Sequence, residues 1–216
     1  MGVAELRGVK KATAIAHPIQ GLIKYHGLQD AKLRIPFHDS ISVCIEALYT
    51  TTTVEATATS KRDHVIINGK EAASSDLERV EVVLDELRNT AGYRDGFKVA
   101  SENSLKCGKG LGFSASAFAA LGVAACATLD FNIDYVSLSE LVRLGAGSAT
   151  RSLAGGFAEW YANKNGRSYA ESIAGPDAVD LSMVIVPIAS SIRTDEAHTE
   201  VLSSPLFKAR LKYVAR

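Results

Sequence analysis

The sequence carries no surplus of charge: 24 Lys and Arg are matched by 24 Asp and Glu in 216 residues. A balanced chain has no global field to draw it to nucleic acid or to an anionic membrane, so any basic site must be local. Cysteine is scarce. Cys44, Cys107 and Cys126 form an odd, irregularly spaced set, which excludes a disulfide framework and a zinc-ligating pattern and fits a reducing compartment. The five histidines (His17, His26, His38, His64 and His198) also lack metal-ligand spacing, so no metal site is expected. No apolar run has spanning length and no secretory signal is evident. These absences together predict a cytoplasmic protein with neither membrane nor nucleic acid as a partner.

What is present is an ordinary core-forming composition, 47% hydrophobic and 22% charged, with no internal repeat or low-complexity linker. The first third favours strands: "ATAIAHPIQGLIKYHG", then "IPFHDSISVCIEALYTTTTVEATATS", then "HVIINGK", which closes on an Asn68-Gly69 turn signal. Leu77, Val80, Leu84 and Leu87 fall on one face of a helix for which Ser75 is the expected N-cap. "GFKVASENS" reads as a strand and "SASAFAALGVAACATLD" as a helix whose alanines allow close packing. "SLSELVRLGAGSATRSL" predicts a helix that ends near Gly145–Gly147 and restarts around Ala149, and "GGFAEWYANKNGRSYAESIA" a turn and hairpin. "LSMVIVPI", almost unbroken in apolar residues, reads as a buried strand. "SPLFKARLKYVAR" reads as the start of a helix with Pro205 in its first turn. The class is α+β.

Gly108, Gly110, Gly112, Ser114 and Ser116 crowd the approach to the second long helix. Glycines let backbone approach a ligand, and a helix N-terminus presents free N–H groups to anions. The spacing matches no nucleotide fingerprint, so a phosphate cradle and a plain glycine-rich turn both stand. Lys24 is either a solvated strand end or a cation aimed at an anionic substrate. Arg151, set among small residues, poses the same alternative. "SSIRT", with Arg193, is either a phosphate contact or a polar loop.

Taken together, "LIKYHG", "IPFHDSISV", "GLGFSASAFAAL", "LSELVRLGAGSATRSLAGGFAEW" and "SSPLFKA" resemble, in order, the motifs of mevalonate diphosphate decarboxylases of the GHMP kinase superfamily. The resemblance runs over about residues 14 to 210, and "GSATRSLAGGFAEW" is its most specific piece. It implies a GHMP-type N-terminal lobe (ribosomal protein S5 domain 2-like) over 1–185 and the start of a C-terminal lobe over 186–216. It implies that Lys24 and Arg151 are catalytic, that Tyr25, Gly147, Ser148 and Arg193 bind substrate, and that the glycine loop wraps ATP phosphates. The implied reaction belongs to isoprenoid biosynthesis, with dimers common among relatives, so a homodimer is an open expectation.

The departures sharpen the reading. Leu28 replaces a family lysine that contacts the 5-diphosphate, Thr194 an arginine, Phe113 and Ala146 serines, and His26 a tryptophan. Three of these changes remove groups that hold a diphosphate or ATP. The chain therefore resembles a diverged archaeal branch, and the expected reaction is mevalonate 3,5-bisphosphate to isopentenyl phosphate, CO2 and phosphate without a cofactor. The alternatives are an ATP- and Mg2+-dependent decarboxylase of mevalonate 5-diphosphate or 5-phosphate, a mevalonate-type kinase, and a non-catalytic lobe. Asp177 in "IAGPDAVD" imitates the family's catalytic-aspartate motif but stands in the wrong segment. That aspartate is expected beyond Arg216, so residues 1–216 alone are expected to be inactive.

Overall fold

The computed structural model describes residues 10–58, 60–105, 110–186 and 198–214. Strands β1 (Lys11–Ala16), β6 (Thr50–Ala56), β9 (Phe97–Asn103), β7 (His64–Ile67) and β8 (Lys70–Glu71) form a five-stranded sheet in that spatial order. A second sheet runs β11 (Ala170–Ala174), β10 (Phe157–Trp160), β5 (Ser40–Cys44) and β2 (Ile19–Ile23). A short ribbon, β3 (Leu28–Asp30) with β4 (Ile35–Pro36), bridges β2 and β5 in the chain. The β7–β8 hairpin turns on Asn68 and Gly69, with φ of 52° and 77°, the doubly left-handed turn that the Asn-Gly pair favours.

Helix α1 (Ser74–Ala91) buries Val80, Val83, Leu84 and Leu87 and ends on Gly92 at φ 68°. It starts one residue before Ser75. Ala73 holds the cap position in extended backbone, and its carbonyl accepts from the amides of Asp76 and Leu77. Ser75 is therefore inside the first turn rather than at the cap.

Helix α2 (Phe113–Thr128) is buried over most of its circumference because it packs on β1, β6 and β9 and is also covered by helices α3 (Tyr135–Gly145) and α4 (Ala149–Ala154). Small residues make this approach possible. A Cβ on Gly122 would overlap Val142 of α3, and one on Gly145 would overlap the Phe118 ring. The expected break between α3 and α4 and the β10–β11 hairpin are both present.

Two further sequence expectations fail. Residues 181–186 form no strand, and Val184 and Val186 are 89% and 72% exposed. An apolar run becomes a buried strand only with paired neighbours, and no described strand pairs with this one. Pro205 precedes rather than enters helix α5 (Phe207–Val214), whose first amide bonds back to the Ser204 carbonyl.

One buried ion pair ties α1 to the entry of β9. Arg88 Nη2 lies 2.6 Å from Asp63 Oδ2, and the Phe97 amide donates to Asp63 Oδ1 at 2.8 Å. Burial pushes the Asp63 carboxyl above the ordinary range, outweighing the Phe97 amide and the Arg88 charge that pull it down. Removing Arg88 leaves a buried carboxylate without its cation. Arg88→Leu should lower the unfolding free energy at pH 7 by about 3–5 kcal/mol, read by urea denaturation. A carboxyl raised in the folded state binds its proton more tightly there, so part of this loss should be recovered as pH falls toward the unfolded-state value. A loss below about 1 kcal/mol would mean that the pair is solvated.

Candidate active site

The candidate residues meet at one end of the four-stranded sheet. Register pairs Trp160 with Ser40 and Ile41 with Ile23, so Lys24, one residue past Ile23, continues the row that Ser40 and Trp160 begin. Above this row passes the linker between α3 and α4. Ala146 is extended there, at φ −154° and ψ 126°, which directs Gly147 and Ser148 across the sheet end. Gly147 lies on the indole: a Cβ there would stand 2.5 Å from Trp160 Cη2 and 3.3 Å from the Tyr25 hydroxyl. Thr150 Oγ1 donates to the Gly147 carbonyl at 2.8 Å and locks the turn.

Arg151, on α4, points into this corner and is 2% exposed. Its Nη1 donates to Ser40 Oγ at 2.7 Å, while its Nε is buried with no hydrogen-bond partner. The guanidinium carbon is 5.6 Å from the ring centroids of both Tyr25 and Trp160. Burial lowers its pKa to about 10, with Tyr25 opposing, so it remains charged at neutral pH. Among the described residues no carboxylate pairs with it. A buried cation with an open donor is costly unless an anion completes it. Ser40 and the two ring faces supply partial compensation, and a carboxylate would supply the rest.

Tyr25 meets the Trp160 edge at 4.9 Å and stacks on His198 at 4.6 Å. Trp160 is fully buried, and its indole N–H donates to Ser168 Oγ at 3.1 Å. Lys24 is exposed, its stem lying over Gly21 and its carbonyl accepting from Arg210 Nη2 at 2.8 Å. Ser148 is half-buried at the cap of α4 with its side chain unused for capping. The structure thus gathers Tyr25, Gly147, Ser148 and Arg151 around one corner, with Lys24 at its rim. Ser40, Trp160 and His198 also belong to it. Ser40 and Trp160 lay inside the "HDS" and "AEW" motifs without being singled out, and His198 had no signal at all.

At the start of α2, Gly110 and Gly112 have φ of 101° and 75°. A Cβ on Gly112 would come within 2.7 Å of the Ile19 carbonyl oxygen, so the close loop requires glycine. Ser114 is exposed in the first turn, beside a cleft of about 160 Å³ lined also by Phe113, Asp76, Arg79 and Asn103. Backbone amides, an exposed hydroxyl and a neighbouring cleft fit a phosphate-bearing ligand. Ser116 does not fit one. It is fully buried, with Oγ 2.6 Å from Thr50 Oγ1 and 3.1 Å from the Phe113 carbonyl, and it fastens the helix to β6. One helical position separates an outward residue from an inward one, and Ser116 falls inward. Gly108 and Arg193 lie outside the described residues. Asp177 lines a depression of about 890 Å³ with Cys44 and Gly156, at the end of the sheet opposite Ser40 and Trp160. Among the described residues no His, Cys, Asp and Glu group is set to hold a metal ion, and no helix is long and apolar enough to cross a membrane.

The chain belongs to a known family. The diphosphomevalonate decarboxylase-like N-terminal domain matches residues 16–174, and the chain is a member of that family within the GHMP kinase superfamily. It is 38% identical over 205 residues to the phosphomevalonate decarboxylase of Haloferax volcanii, covering 94% of this chain and 63% of that one. The mevalonate diphosphate decarboxylase of Staphylococcus aureus superposes with a TM-score of 0.80 at 31% identity, covering 96% and 65% of the two chains. An Enterococcus faecalis mevalonate diphosphate decarboxylase, whose structure concerns ATP binding mediated by mevalonate diphosphate, gives 0.82 at 28% over the same shares. The chain thus spans a little under two thirds of these relatives.

Gly147 provides a direct check of the corner. Gly147→Ala forces its Cβ against the indole, which should cost about 1–3 kcal/mol of stability. Trp160 is the only tryptophan, so its emission should shift to the red as the corner loosens. Unchanged emission and stability would remove Gly147 from contact with Trp160.

Proposed function

We propose that the protein is a decarboxylase acting on a phosphorylated mevalonate that carries a single 5-phosphate. The observation that carries this reading is Arg151, a buried guanidinium with an open Nε donor and no carboxylate partner among the described residues. A guanidinium holds a carboxylate in a two-point fork, which fixes the bond to be broken. Phosphorylation makes the tertiary 3-oxygen a good leaving group. The C–C bond to the carboxylate then breaks, its electron pair forms the double bond, and the C–O bond to phosphate breaks as CO2 and phosphate depart. Lys24, at the rim, offsets charge on the departing phosphate. Gly147 and Ser148 shape the wall, and Tyr25 orients Arg151.

Two readings differ in how the 3-phosphate arises. Phe113 and Leu28, which stand where the family places a serine and a lysine, favour the 3,5-bisphosphate as substrate with no nucleotide. The Gly110–Gly112 loop, exposed Ser114 and their cleft, with the similarity to the phosphomevalonate decarboxylase of Haloferax volcanii, support ATP-dependent reaction of mevalonate 5-phosphate. The second reading rests on more observations, and we adopt it. ATP would supply the phosphoryl group, and the first turn of α2 would hold its phosphates.

The full-length protein should release CO2 and ADP in equal amounts from mevalonate 5-phosphate with ATP and magnesium, and little from mevalonate 5-diphosphate. CO2 from the 3,5-bisphosphate without ADP would restore the nucleotide-free reading, and ADP without CO2 would make the protein a kinase. Arg151→Lys should cost on the order of 2–4 kcal/mol in kcat/KM. A near-normal value would remove Arg151 from the site.

A further inference from the structure

The β3–β4 ribbon lies in the chain between two parts of the corner: Tyr25 precedes it and Ser40 follows it. Its register pairs Asp30 with Ile35, which leaves residues 31–34 as the turn. That turn lies on the C-terminal end of α3. Arg34 Nε donates to the Leu144 carbonyl at 2.9 Å, and Arg143 Nε donates to the Leu33 carbonyl at 2.8 Å. Neighbouring residues on each side thus exchange arginines across 110 positions of chain. Within the turn, the Leu33 amide donates to Asp30 Oδ1 at 2.8 Å.

The last carbonyls of a helix have no partner inside it, and a cation there also meets the negative end of the helix dipole. At the end of α3 arginines take these carbonyls. Leu144 is taken by Arg34, and Gly145 accepts from Nε and Nη2 of Arg79 at 2.9 and 2.8 Å. Arg34 stands at φ 53°, a left-handed conformation that a non-glycine residue holds only where its surroundings fix it. Arg143 is 6% exposed and also donates through Nη1 to the Ser168 carbonyl. The Ser168 hydroxyl in turn accepts from the Trp160 indole. The ribbon turn, the end of α3 and the tryptophan of the corner are therefore one hydrogen-bonded chain.

The corner has two walls. Tyr25 and Ser40 stand on the sheet side, and Gly147, Ser148 and Arg151 on the helix side. Gly147 follows closely on Leu144, so fastening the end of α3 to the ribbon sets the second wall against the first. We propose that Arg34 is a positioning residue for the reaction: with Arg143 it clasps the ribbon to α3 and holds Arg151 where it meets the substrate carboxylate. The role needs a donor at the Nε position and does not need the charge. The proposal rests on the assigned decarboxylation, in which the carboxylate must be fixed as its bond breaks.

The test uses the full-length protein and three variants. Glutamine carries its amide nitrogen as many bonds from the backbone as arginine carries Nε, so Arg34→Gln keeps the donor and drops the charge. Arg34→Met drops both. Arg34→Gly also drops both but is at ease in the left-handed turn, which separates lost positioning from lost folding. With mevalonate 5-phosphate, ATP and magnesium, Arg34→Met and Arg34→Gly should lose roughly ten- to a hundredfold in kcat while KM stays within about threefold, because misplaced groups still bind but no longer align. Arg34→Gln should remain within about threefold of wild type in both. In the ligand-free protein the nitrogen-15 resonance of the Arg151 Nε–H should move in Arg34→Met and Arg34→Gly, and exchange with water about tenfold faster. In Arg34→Gln it should hold its place. A loss in Arg34→Gln equal to that in Arg34→Met would make Arg34 a charge acting on the substrate, and overturns the proposal. CO2 release by wild type with an unmoved Arg151 resonance in Arg34→Met overturns it too and spares the functional reading. The expected shifts of that resonance without CO2 release by wild type overturn the functional reading and spare the clasp.

Discussion

The contact on which the corner depends is the hydrogen bond from Arg151 to Ser40, made across 111 residues of chain at 2.7 Å. A guanidinium that is 2% exposed must be held by something. Here a serine hydroxyl accepts from Nη1, two aromatic rings lie 5.6 Å from the guanidinium carbon, and the Nε–H is left without a partner. Had a carboxylate been placed there, the fold would be more comfortable and the site useless. On the proposed reading, the cost of an under-compensated cation is retained because a ligand carboxylate completes it.

The remaining architecture serves that placement. Arg151 rides on α4, α4 packs on α2, and α2 lies on β1 and β6 through a face of alanines and glycine. Replacing Gly122 or Gly145 by a larger residue would push α3 away from α2 and carry the Gly147–Ser148 linker off the Trp160 ring. Trp160 in turn sits on β10, in register with the Ser40 that holds the arginine. The loop at Gly110–Gly112 and the corner at Arg151 thus belong to one packed unit: Gly112 approaches the Ile19 carbonyl, and Ser152, next to Arg151, donates to the His17 carbonyl.

Much of this was legible in the residues. The period of Val80, Leu84 and Leu87, the Asn68-Gly69 turn and the glycine break between α3 and α4 are local signals, and local signals survive folding. Arg151 stood out as a charge among small residues, and the family resemblance assigned it a role. What was not legible is what depends on distant chain. Ser40 as the partner of Arg151 and His198 on Tyr25 are products of tertiary register. Ser116 looked like Ser114 because a hydroxyl in a glycine loop does not announce whether it turns inward. The apolar run 181–186 suggested burial because hydrophobicity records a need for cover, not its source. Ser75 was misplaced because Ala73 makes a helix start without any side-chain cap.

The central claim is that the open N–H of Arg151 is reserved for the carboxylate that is lost in the reaction. Nitrogen-15 NMR of the Arg151 Nε–H in the full-length protein measures this directly. Mevalonate 5-phosphate should shift that resonance and slow its exchange with water. Isopentenyl phosphate, which keeps a phosphate but has no carboxylate, should leave the resonance near its free position. Equal shifts with both ligands would mean that Arg151 answers to phosphate alone, and the account would be wrong at its centre.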